Sequence, residues 1–288
     1  MAQAWTRTET VQASQVTGTL TDFPALFSRT HNDFRTIGNG GHVANANGYD
    51  LVLYSDAPLS SLLKQETELY VAATGQAIKW GKVASIATST VVYWGYGGSA
   101  IVTSQDDVVN VWKTAFRAVY HLGDGSTLSG ADSTANTLTG TVTNATATTG
   151  QIDGAGSFNG STTSVDLPNT LGIGGAPARQ ISFWVNRGAN TNKAMIGLGG
   201  DSGPQKTFTI LVGAVAAGDV YVYTNNADNY TAGSVVPLST WARVTVTYSG
   251  GLLVTSVGVS VNGVAKSLTF AGNAIASAAT NNTANYLG

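Results

Sequence analysis

The sequence predicts an all-β chain built from two consecutive β-sandwich domains that are joined by one short helix. Charged residues make up only 10% of the 288 residues, and they include three glutamates and seven lysines. The residues that favour helices are therefore scarce. Thr, Val, Ser and Tyr are abundant, and 35 glycines interrupt the chain, which is typical of short strands separated by turns. The chain is also about twice as long as a typical domain.

The first domain is predicted to span residues 1–103. Runs of β-branched and aromatic residues alternate there with Gly, Asn, Asp and Pro clusters, as in a sandwich of short strands. The predicted strands are residues 16–20, 49–54, 66–72, 77–83 and 90–96. Asn39-Gly40 and Asn47-Gly48 favour the positive φ angles of tight turns, so we expect loops at both pairs.

Residues 104–117 are predicted to form a connector helix. Ser104 precedes an aspartate by three residues, a spacing like that of a capping box, and apolar residues then recur at helical intervals. We therefore expect a helix over residues 105–116 that is capped by Ser104 and packed by Trp112.

The second domain is predicted to span residues 118–288 and to be dense in strands. The predicted strands before its last hairpin are residues 118–122, 139–144, 163–167, 180–186, 193–198, 207–212, 219–224 and 241–248. Asn262-Gly263 then separates two alternating runs, residues 257–261 and 264–268. Such a pair between alternating runs is the strongest short-range signal for a β-hairpin.

Charge and composition exclude several classes of partner. The formal net charge is -2 and Lys and Arg are not clustered, which argues against binding to nucleic acid or acidic lipid. The absence of cysteine excludes disulfides and thiolate metal sites. No apolar run is long enough for membrane insertion, and residues 1–10 lack the pattern of a secretory signal peptide.

Motifs in the first domain resemble the DUF2341 family of uncharacterised β-domains, in order and in spacing. They cover about the first hundred residues of the chain. The matching motifs are Trp5, Leu20-Thr21-Asp22-Phe23-Pro24, Tyr49-Asp50-Leu51, Glu66-Thr67-Glu68, Ile78-Lys79-Trp80-Gly81-Lys82-Val83 and Val92-Tyr93-Trp94-Gly95-Tyr96-Gly97.

The second domain is similar to concanavalin A-like jelly rolls of the laminin-G type. The matching motifs are Tyr120-His121-Leu122-Gly123-Asp124-Gly125, Asp132-Ser133-Thr134, Gly150 to Gly160, Ile181-Ser182-Phe183-Trp184-Val185, Thr240 to Tyr248 and Val261-Asn262-Gly263. The resemblance implies a two-sheet jelly roll, commonly a glycan-binding or adhesive module. It also places Trp184 and Trp241 at core positions.

One departure from the second family concerns the end of the sequence. Family members usually continue past the equivalent of Tyr286-Leu287-Gly288 into a further strand, so the jelly roll is predicted to lack its last strand. Unpaired sheet edges recruit other chains unless they are covered. We therefore expect a neighbouring subunit or a rearranged segment at this edge, and a homo-oligomer or larger assembly. The alternative is that the sequence is a fragment.

Glu66 and Glu68 are the one pair of carboxylates with a spacing that suits catalysis. Residues two apart on a strand share one face, and hydrolysis of a glycoside requires two carboxylates across a cleft. Solvated residues on an exposed strand face explain the pair more simply. The second domain contains no glutamate and no aspartates two residues apart. The protein is therefore predicted not to be an enzyme.

A cluster of aromatic and amide side chains in the second domain is the candidate ligand-binding site. Exposed aromatic faces combined with amides suit neutral ligands such as glycans. The candidate binding residues are Tyr223, Asn225, Asn226, Asp228 and Tyr230. Tyr221 and Tyr223 are expected on one strand face, opposite Val220 and Val222. Ordinary packing of one sheet face is the alternative for these two tyrosines.

Calcium is the one cofactor that the resemblance to laminin-G-type domains allows. Asp124, Asp132 and Asp153 lie in predicted loops and offer carboxylate oxygens, which calcium prefers. The sequence lacks the dense ligand spacing of a dedicated calcium loop. We therefore expect no cofactor, with calcium at these three aspartates as the alternative.

The leading functional hypothesis is a non-catalytic surface or bacteriophage virion protein whose jelly roll binds glycans or adheres. Its expected partners are a glycan or neighbouring protein subunits. Its expected location is a virion or an extracellular surface. Two alternatives remain at this stage: a polysaccharide-acting enzyme with an interdomain site, and a purely structural capsid-decoration or tail protein.

Overall fold

The structure is a computed structural model. It describes residues 3–11, 16, 18–123, 127–189, 192–200, 207–224, 227–231, 233–251, 253–272, 280 and 284–288. The chain divides into two compact units: residues 1–120 with 133–137, and residues 121–132 with 138–288. Strands dominate both units, which confirms the predicted all-β class. Among the helices that the structure describes, none is long and apolar enough to span a membrane.

The first unit is a sandwich of two three-stranded antiparallel sheets. One sheet has the order β1-β6-β3 and the other has the order β2-β5-β4. The strands are β1 (Trp5–Thr10), β2 (Leu20–Thr30), β3 (Val52–Tyr54), β4 (Lys64–Val71), β5 (Gln76–Ile86) and β6 (Val91–Tyr96). Short 3-10 helices follow β2 at Asn32–Phe34 and Ile37–Asn39.

Aromatic side chains from both sheets form the core of the first unit. The Trp94 ring on β6 meets the Phe27 ring on β2 edge-on, with 6.4 Å between their centroids. Phe34, at the end of the first 3-10 helix, is fully buried, and its ring centroid lies 5.0 Å from that of Trp94. Since Phe27 and Trp94 belong to different sheets, these contacts close the sandwich.

Asp50 is a buried carboxylate that fixes the loop before β3. It accepts backbone N–H bonds from Ala44 and Asn45, each at 2.8 Å, and from Gly97 at 3.0 Å. Both carboxylate oxygens therefore have hydrogen-bond donors in the protein, which replace the water that burial removes. The predicted strand at residues 49–54 therefore begins only at Val52.

The helix predicted over residues 105–116 is limited to α1 (Val108–Val111), and the prediction that Ser104 caps it is wrong. Asp107 is the N-cap residue, and its side chain makes no capping bond. Ser104 Oγ instead accepts a hydrogen bond from the Asp106 backbone N–H at 3.2 Å. This local serine turn competes with helix formation, so the chain enters the helix later than the spacing predicted.

Residues 104–117 belong to the first compact unit, where α1 packs along β4 and β5. The Asp107 backbone N–H donates to the Gln65 carbonyl of β4 at 2.8 Å. Trp112, which is 8% exposed, packs on the Trp80 ring of β5 with 5.1 Å between centroids. The predicted burial of Trp112 is confirmed.

The second unit contains an eight-stranded, a four-stranded and a two-stranded antiparallel sheet. Their orders are β19-β15-β14-β13-β12-β20-β10-β7, β11-β16-β17-β18 and β8-β9. The strands are β7 (Thr141–Thr143), β8 (Thr146–Thr149), β9 (Gly154–Ser157), β10 (Ser164–Leu167), β11 (Arg179–Val185), β12 (Lys193–Leu198), β13 (Phe208–Val212), β14 (Val220–Tyr223), β15 (Ala227–Thr231), β16 (Ala242–Tyr248), β17 (Val257–Val261), β18 (Val264–Lys266), β19 (Leu268–Gly272) and β20 (Asn285–Leu287). The helical segments are Asn169–Leu171, a 3-10 helix, and α2 (Leu253–Ser256).

The hairpin predicted at Asn262-Gly263 is confirmed. Strands β17 and β18 pair through Val261 and Val264, and the two turn residues have φ angles of 51° and 80°. Positive φ at both central residues is what a type I′ turn requires, and Asn-Gly satisfies that requirement at little cost.

The core of the second unit lies between the eight-stranded and four-stranded sheets. Phe208 on β13 and Tyr248 on β16 meet there with 6.0 Å between ring centroids. The Arg179 guanidinium lies over both rings, 5.3 Å and 5.6 Å from their centroids. Trp184, which the family resemblance placed in the core, is 39% exposed, so that expectation is wrong.

The last strand of the described chain lies inside the large sheet. β20 pairs with β10 on one side and with β12 on the other. Within the described part of the chain, the edges of this sheet are β7 and β19. The expectation that a neighbouring subunit or a rearranged segment covers an open edge stays a prediction. Residues 118–122, predicted as a strand, have no regular secondary structure.

Candidate functional site

The tyrosines of β14 face outward from the eight-stranded sheet. Val220 and Val222 are fully buried, whereas Tyr221 and Tyr223 are half-buried on the opposite face. Strand alternation therefore separates a core face from a partly exposed face, and the predicted orientation of all four side chains is confirmed.

Tyr230 of β15 extends this aromatic surface. It is the direct cross-strand partner of Tyr221, and their rings stack with 5.9 Å between centroids and an interplanar angle of 18°. Direct cross-strand neighbours approach within about 5 Å at Cβ, so the register itself brings the rings together. We call Tyr221, Tyr223 and Tyr230 the tyrosine surface.

Asp228 fixes the orientation of the tyrosine surface. The Tyr221 hydroxyl donates to Asp228 Oδ2 at 2.7 Å, and the Thr224 backbone N–H donates to Asp228 Oδ1 at 3.4 Å. The carboxylate therefore anchors the end of β14 to β15. Burial, and then the hydrogen bond to Asp228, raise the pKa of Tyr221, so its hydroxyl stays protonated and remains a donor at neutral pH.

A surface groove of about 320 Å³ adjoins the tyrosine surface. Its lining combines the rings of Tyr221 and Tyr223 with one amide and several aliphatic side chains. The remaining lining residues are Asn192, Leu211, Ala214 and Val215. The volume lies at the lower end of the range for small-molecule sites, and an apolar wall with few polar groups is typical of them.

Four groove residues were not predicted from the sequence, and one of them is Leu211 of β13. Asn192 precedes β12, and Ala214 and Val215 lie between β13 and β14. No local pattern marks them, because the fold brings them beside β14 from other parts of the chain.

The predicted binding residues divide into two groups. Tyr223, Asp228 and Tyr230 lie close together on the outer face of β14 and β15. Asn225 and Asn226 lie outside the described residues, so their predicted role stays a prediction.

Two of the three predicted calcium ligands, Asp132 and Asp153, lie among the described residues, and each takes part in a loop or turn contact. Asp132 uses Oδ2 to accept the Leu138 backbone N–H at 2.8 Å, which holds a loop. Asp153 lies at the tight turn before β9, where its carbonyl accepts the Gly150 N–H at 2.7 Å. No group of three His, Asp or Glu side chains suited to a metal ion occurs among the residues that were described. Asp124 lies outside them, and calcium binding through it stays a prediction.

Glu66 and Glu68 bond to indole groups. Trp112 Nε1 donates to Glu66 at 3.0 Å, Ser133 Oγ donates to its other oxygen at 2.6 Å, and Trp80 Nε1 donates to Glu68 at 2.5 Å. Glu66 is 8% exposed, so its interpretation as a solvated strand residue is wrong. The pairing register of β4 with β5 shifts between Thr67 and Leu69, which places a β-bulge at Glu68.

Comparisons with known proteins find no match: no protein-family model, no curated protein and no solved structure matches the chain. The resemblances to DUF2341 and to concanavalin A-like domains therefore stay predictions.

Proposed function

We propose that this chain is a non-catalytic carbohydrate-binding protein whose ligand lies across the tyrosine surface and the adjoining groove. The observation that carries the proposal is the juxtaposition of Tyr221 and Tyr223 with Asn192 around a groove of about 320 Å³. Tyr230 extends the same surface by stacking on Tyr221.

The chemistry of this surface fits a neutral sugar. The apolar C–H face of a pyranose packs on an aromatic ring, while its hydroxyls bond to amide, phenol and carboxylate groups at the rim. The Asn192 amide and the Tyr223 hydroxyl offer such groups beside the rings. The low overall charge also supports a neutral ligand.

The state of the carboxylates supports binding without turnover. Asp228 accepts hydrogen bonds from the Tyr221 hydroxyl and the Thr224 N–H. Glycoside hydrolysis requires a second carboxylate across the sugar. We therefore expect oligosaccharides that bind this surface to be released unchanged, and release of reducing ends would contradict the proposal.

The proposal includes a place on a virion or an extracellular surface, in an assembly of several copies. A shallow groove of this size supports weak binding at each site, and copies that act together would raise the avidity by orders of magnitude. Light scattering of the purified protein tests the assembly, and detection of the chain in purified virions or surface fractions tests the location.

A glycan array followed by calorimetry tests the binding. The array identifies a neutral oligosaccharide, and Tyr221→Ala and Tyr223→Ala should each weaken its binding about tenfold, equivalent to about 1.4 kcal/mol. Tyr223→Phe keeps the ring and should retain most of the affinity. Tyr93→Ala, in the first unit, serves as the control that leaves affinity unchanged. An affinity that is unchanged in both Tyr221→Ala and Tyr223→Ala would exclude the proposed binding site.

A further inference from the structure

A buried lysine in the first unit lies beside a carboxylate. Lys79, in the middle of β5, has a side chain that is only 4% exposed. Its Nζ donates to Thr67 Oγ1 on β4 at 2.5 Å and lies 3.8 Å from Asp106 Oδ1. Lys79 and Thr67 are direct cross-strand partners, so the sheet register fixes the position of the amine.

Asp106 is held against this amine by several bonds. The Thr67 N–H donates to Asp106 Oδ2 at 3.2 Å, and the Thr67 hydroxyl donates to Oδ1 at 2.9 Å. The next residue is also anchored, since Asp107 bonds to the Gln65 carbonyl through its N–H. The carboxylate therefore cannot leave the amine without breaking the contacts between this segment and β4.

A small cavity of about 110 Å³ opens beside the amine. Lys79, Thr67 and Asp106 contribute to its wall. The remaining lining residues are Asn47, Gly48, Tyr49, Ser104 and Gln105. The cavity gives room for the side chains to shift and for a water molecule to depart, since one water occupies about 30 Å³ in the liquid.

Burial changes the chemistry of the pair. Desolvation lowers the pKa of Lys79, and the nearby Asp106 carboxylate opposes that shift only in part. A desolvated lysine amine is the state in which lysine acts as a nucleophile. Transfer of one proton from the ammonium to the carboxylate converts the ion pair into a neutral amine and a carboxylic acid, with no net change in charge.

We propose that Lys79 and Asp106 condense to form an intramolecular amide cross-link. The Nζ lone pair attacks Asp106 Cγ, a C–N bond forms and the C–O bond to one carboxyl oxygen breaks. That oxygen leaves as water, together with one proton from the amine and one from the carboxylic acid. The step is neither oxidation nor reduction and needs no co-reactant.

The Thr67 hydroxyl is the positioning residue for this step. It bonds to both Lys79 Nζ and Asp106 Oδ1, so it lies where a proton can pass between the amine and the departing oxygen. Thr67→Val keeps the shape of the side chain and removes this bridge. We expect it to slow formation of the cross-link at least tenfold without preventing folding.

The same segment contains a matched internal control. Lys64 Nζ lies 2.6 Å from Asp107 Oδ2, closer than the proposed pair, but the Lys64 side chain is 54% exposed. Water stabilises the charges of an exposed ion pair, so condensation of such a pair relieves no desolvation penalty. If distance alone decided the reaction, the cross-link would join Lys64 to Asp107. If burial is required, it joins Lys79 to Asp106.

The test is the intact mass of the folded, aged and then denatured protein, followed by peptide mapping. The mass should be one water below the sequence mass, with a branched peptide that joins Lys79 to Asp106. Asp106→Ala and Lys79→Met should restore the full expected mass. Because succinimides at Asp124-Gly125 and Asp153-Gly154 also lose water, the site of loss must be mapped.

Three results would overturn the proposal. One is the full sequence mass in folded wild-type protein. Another is a loss of water that maps to an Asp-Gly pair in a peptide that reacts with hydroxylamine, which opens succinimides and spares amides. The third is a cross-link between Lys64 and Asp107 in place of the buried pair. The wild-type measurement alone decides the matter, even where a variant fails to fold.

Discussion

Replacing Trp112 by alanine should destabilise the first unit by about 3–5 kcal/mol, the usual cost of removing a large buried aromatic side chain. The side chain is 8% exposed and packs against Trp80 and Phe116, with centroid distances of 5.1 Å and 5.4 Å. Its indole N–H also donates to Glu66 at 3.0 Å. The substitution therefore removes both packing and a donor to a buried carboxylate.

The Trp112→Phe variant separates the two contributions. Phenylalanine keeps most of the ring packing and loses the N–H, and a hydrogen bond to a charged group contributes about 1.5–3 kcal/mol. Trp112→Phe should therefore cost about 1.5–3 kcal/mol, which is less than the alanine variant.

Urea unfolding followed by far-UV circular dichroism measures both variants, and hydrogen exchange in β4 and β5 assigns the loss to the first unit. Two results would refute this argument. One is an alanine variant within about 1 kcal/mol of wild type, which is far below the expected cost. The other is a phenylalanine variant as costly as alanine, which would mean that ring packing contributes nothing.

Three further predictions concern a turn, an ion pair and a cation held over aromatic rings. Gly263→Ala should cost about 1–2 kcal/mol in thermal unfolding, since its φ of 80° disfavours a side chain, and an unchanged melting temperature would contradict the hairpin assignment. The hydrogen bond from Arg7 lowers the pKa of Asp33. The stability from this pair is therefore present above the ordinary carboxyl pKa and is lost as pH falls through the lowered value. Arg7→Met should be less stable than wild type at neutral pH and equal to it in strong acid, and a difference that persists in acid would argue against the ion pair. Arg179→Met should destabilise the second unit by about 2 kcal/mol, whereas Arg179→Lys should retain part of the cation–π interaction; equal losses in urea unfolding would show that charge over the rings is irrelevant.

Local sequence patterns predicted the elements whose signals are short-range. The Asn262-Gly263 hairpin follows from turn chemistry alone, and the alternation of Val220 and Tyr221 follows from the period of a strand. The all-β class follows from composition. In these cases the residues that carry the signal are also the ones that form the structure.

The elements that local patterns failed to predict depend on contacts between distant parts of the chain. The sequence predicted a strand over residues 16–20, whereas β2 runs from Leu20 to Thr30 and contains Pro24, which in a sequence indicates a break in a strand. Its position at the edge of the sheet explains the tolerance, because an edge strand does not need every N–H for the ladder. Local spacing could not show this position.

The same cause limits prediction of the candidate site. Tyr223, Asp228 and Tyr230 are close in sequence, and the sequence predicted them as a set. Asn192 and Val215 reach the groove from other segments, so only the assembled sheet identifies them. Glu66 was misjudged because its partner, Trp112, lies 46 residues away and no local pattern joins the two.

The proposed function requires a sugar ring on the tyrosine surface. A crystal structure of the protein with its best neutral oligosaccharide would locate that ring. We expect a pyranose packed on Tyr221 or Tyr223, with its hydroxyls in the groove beside Asn192. A sugar bound elsewhere on the chain, with the tyrosine surface empty, would exclude the proposed site.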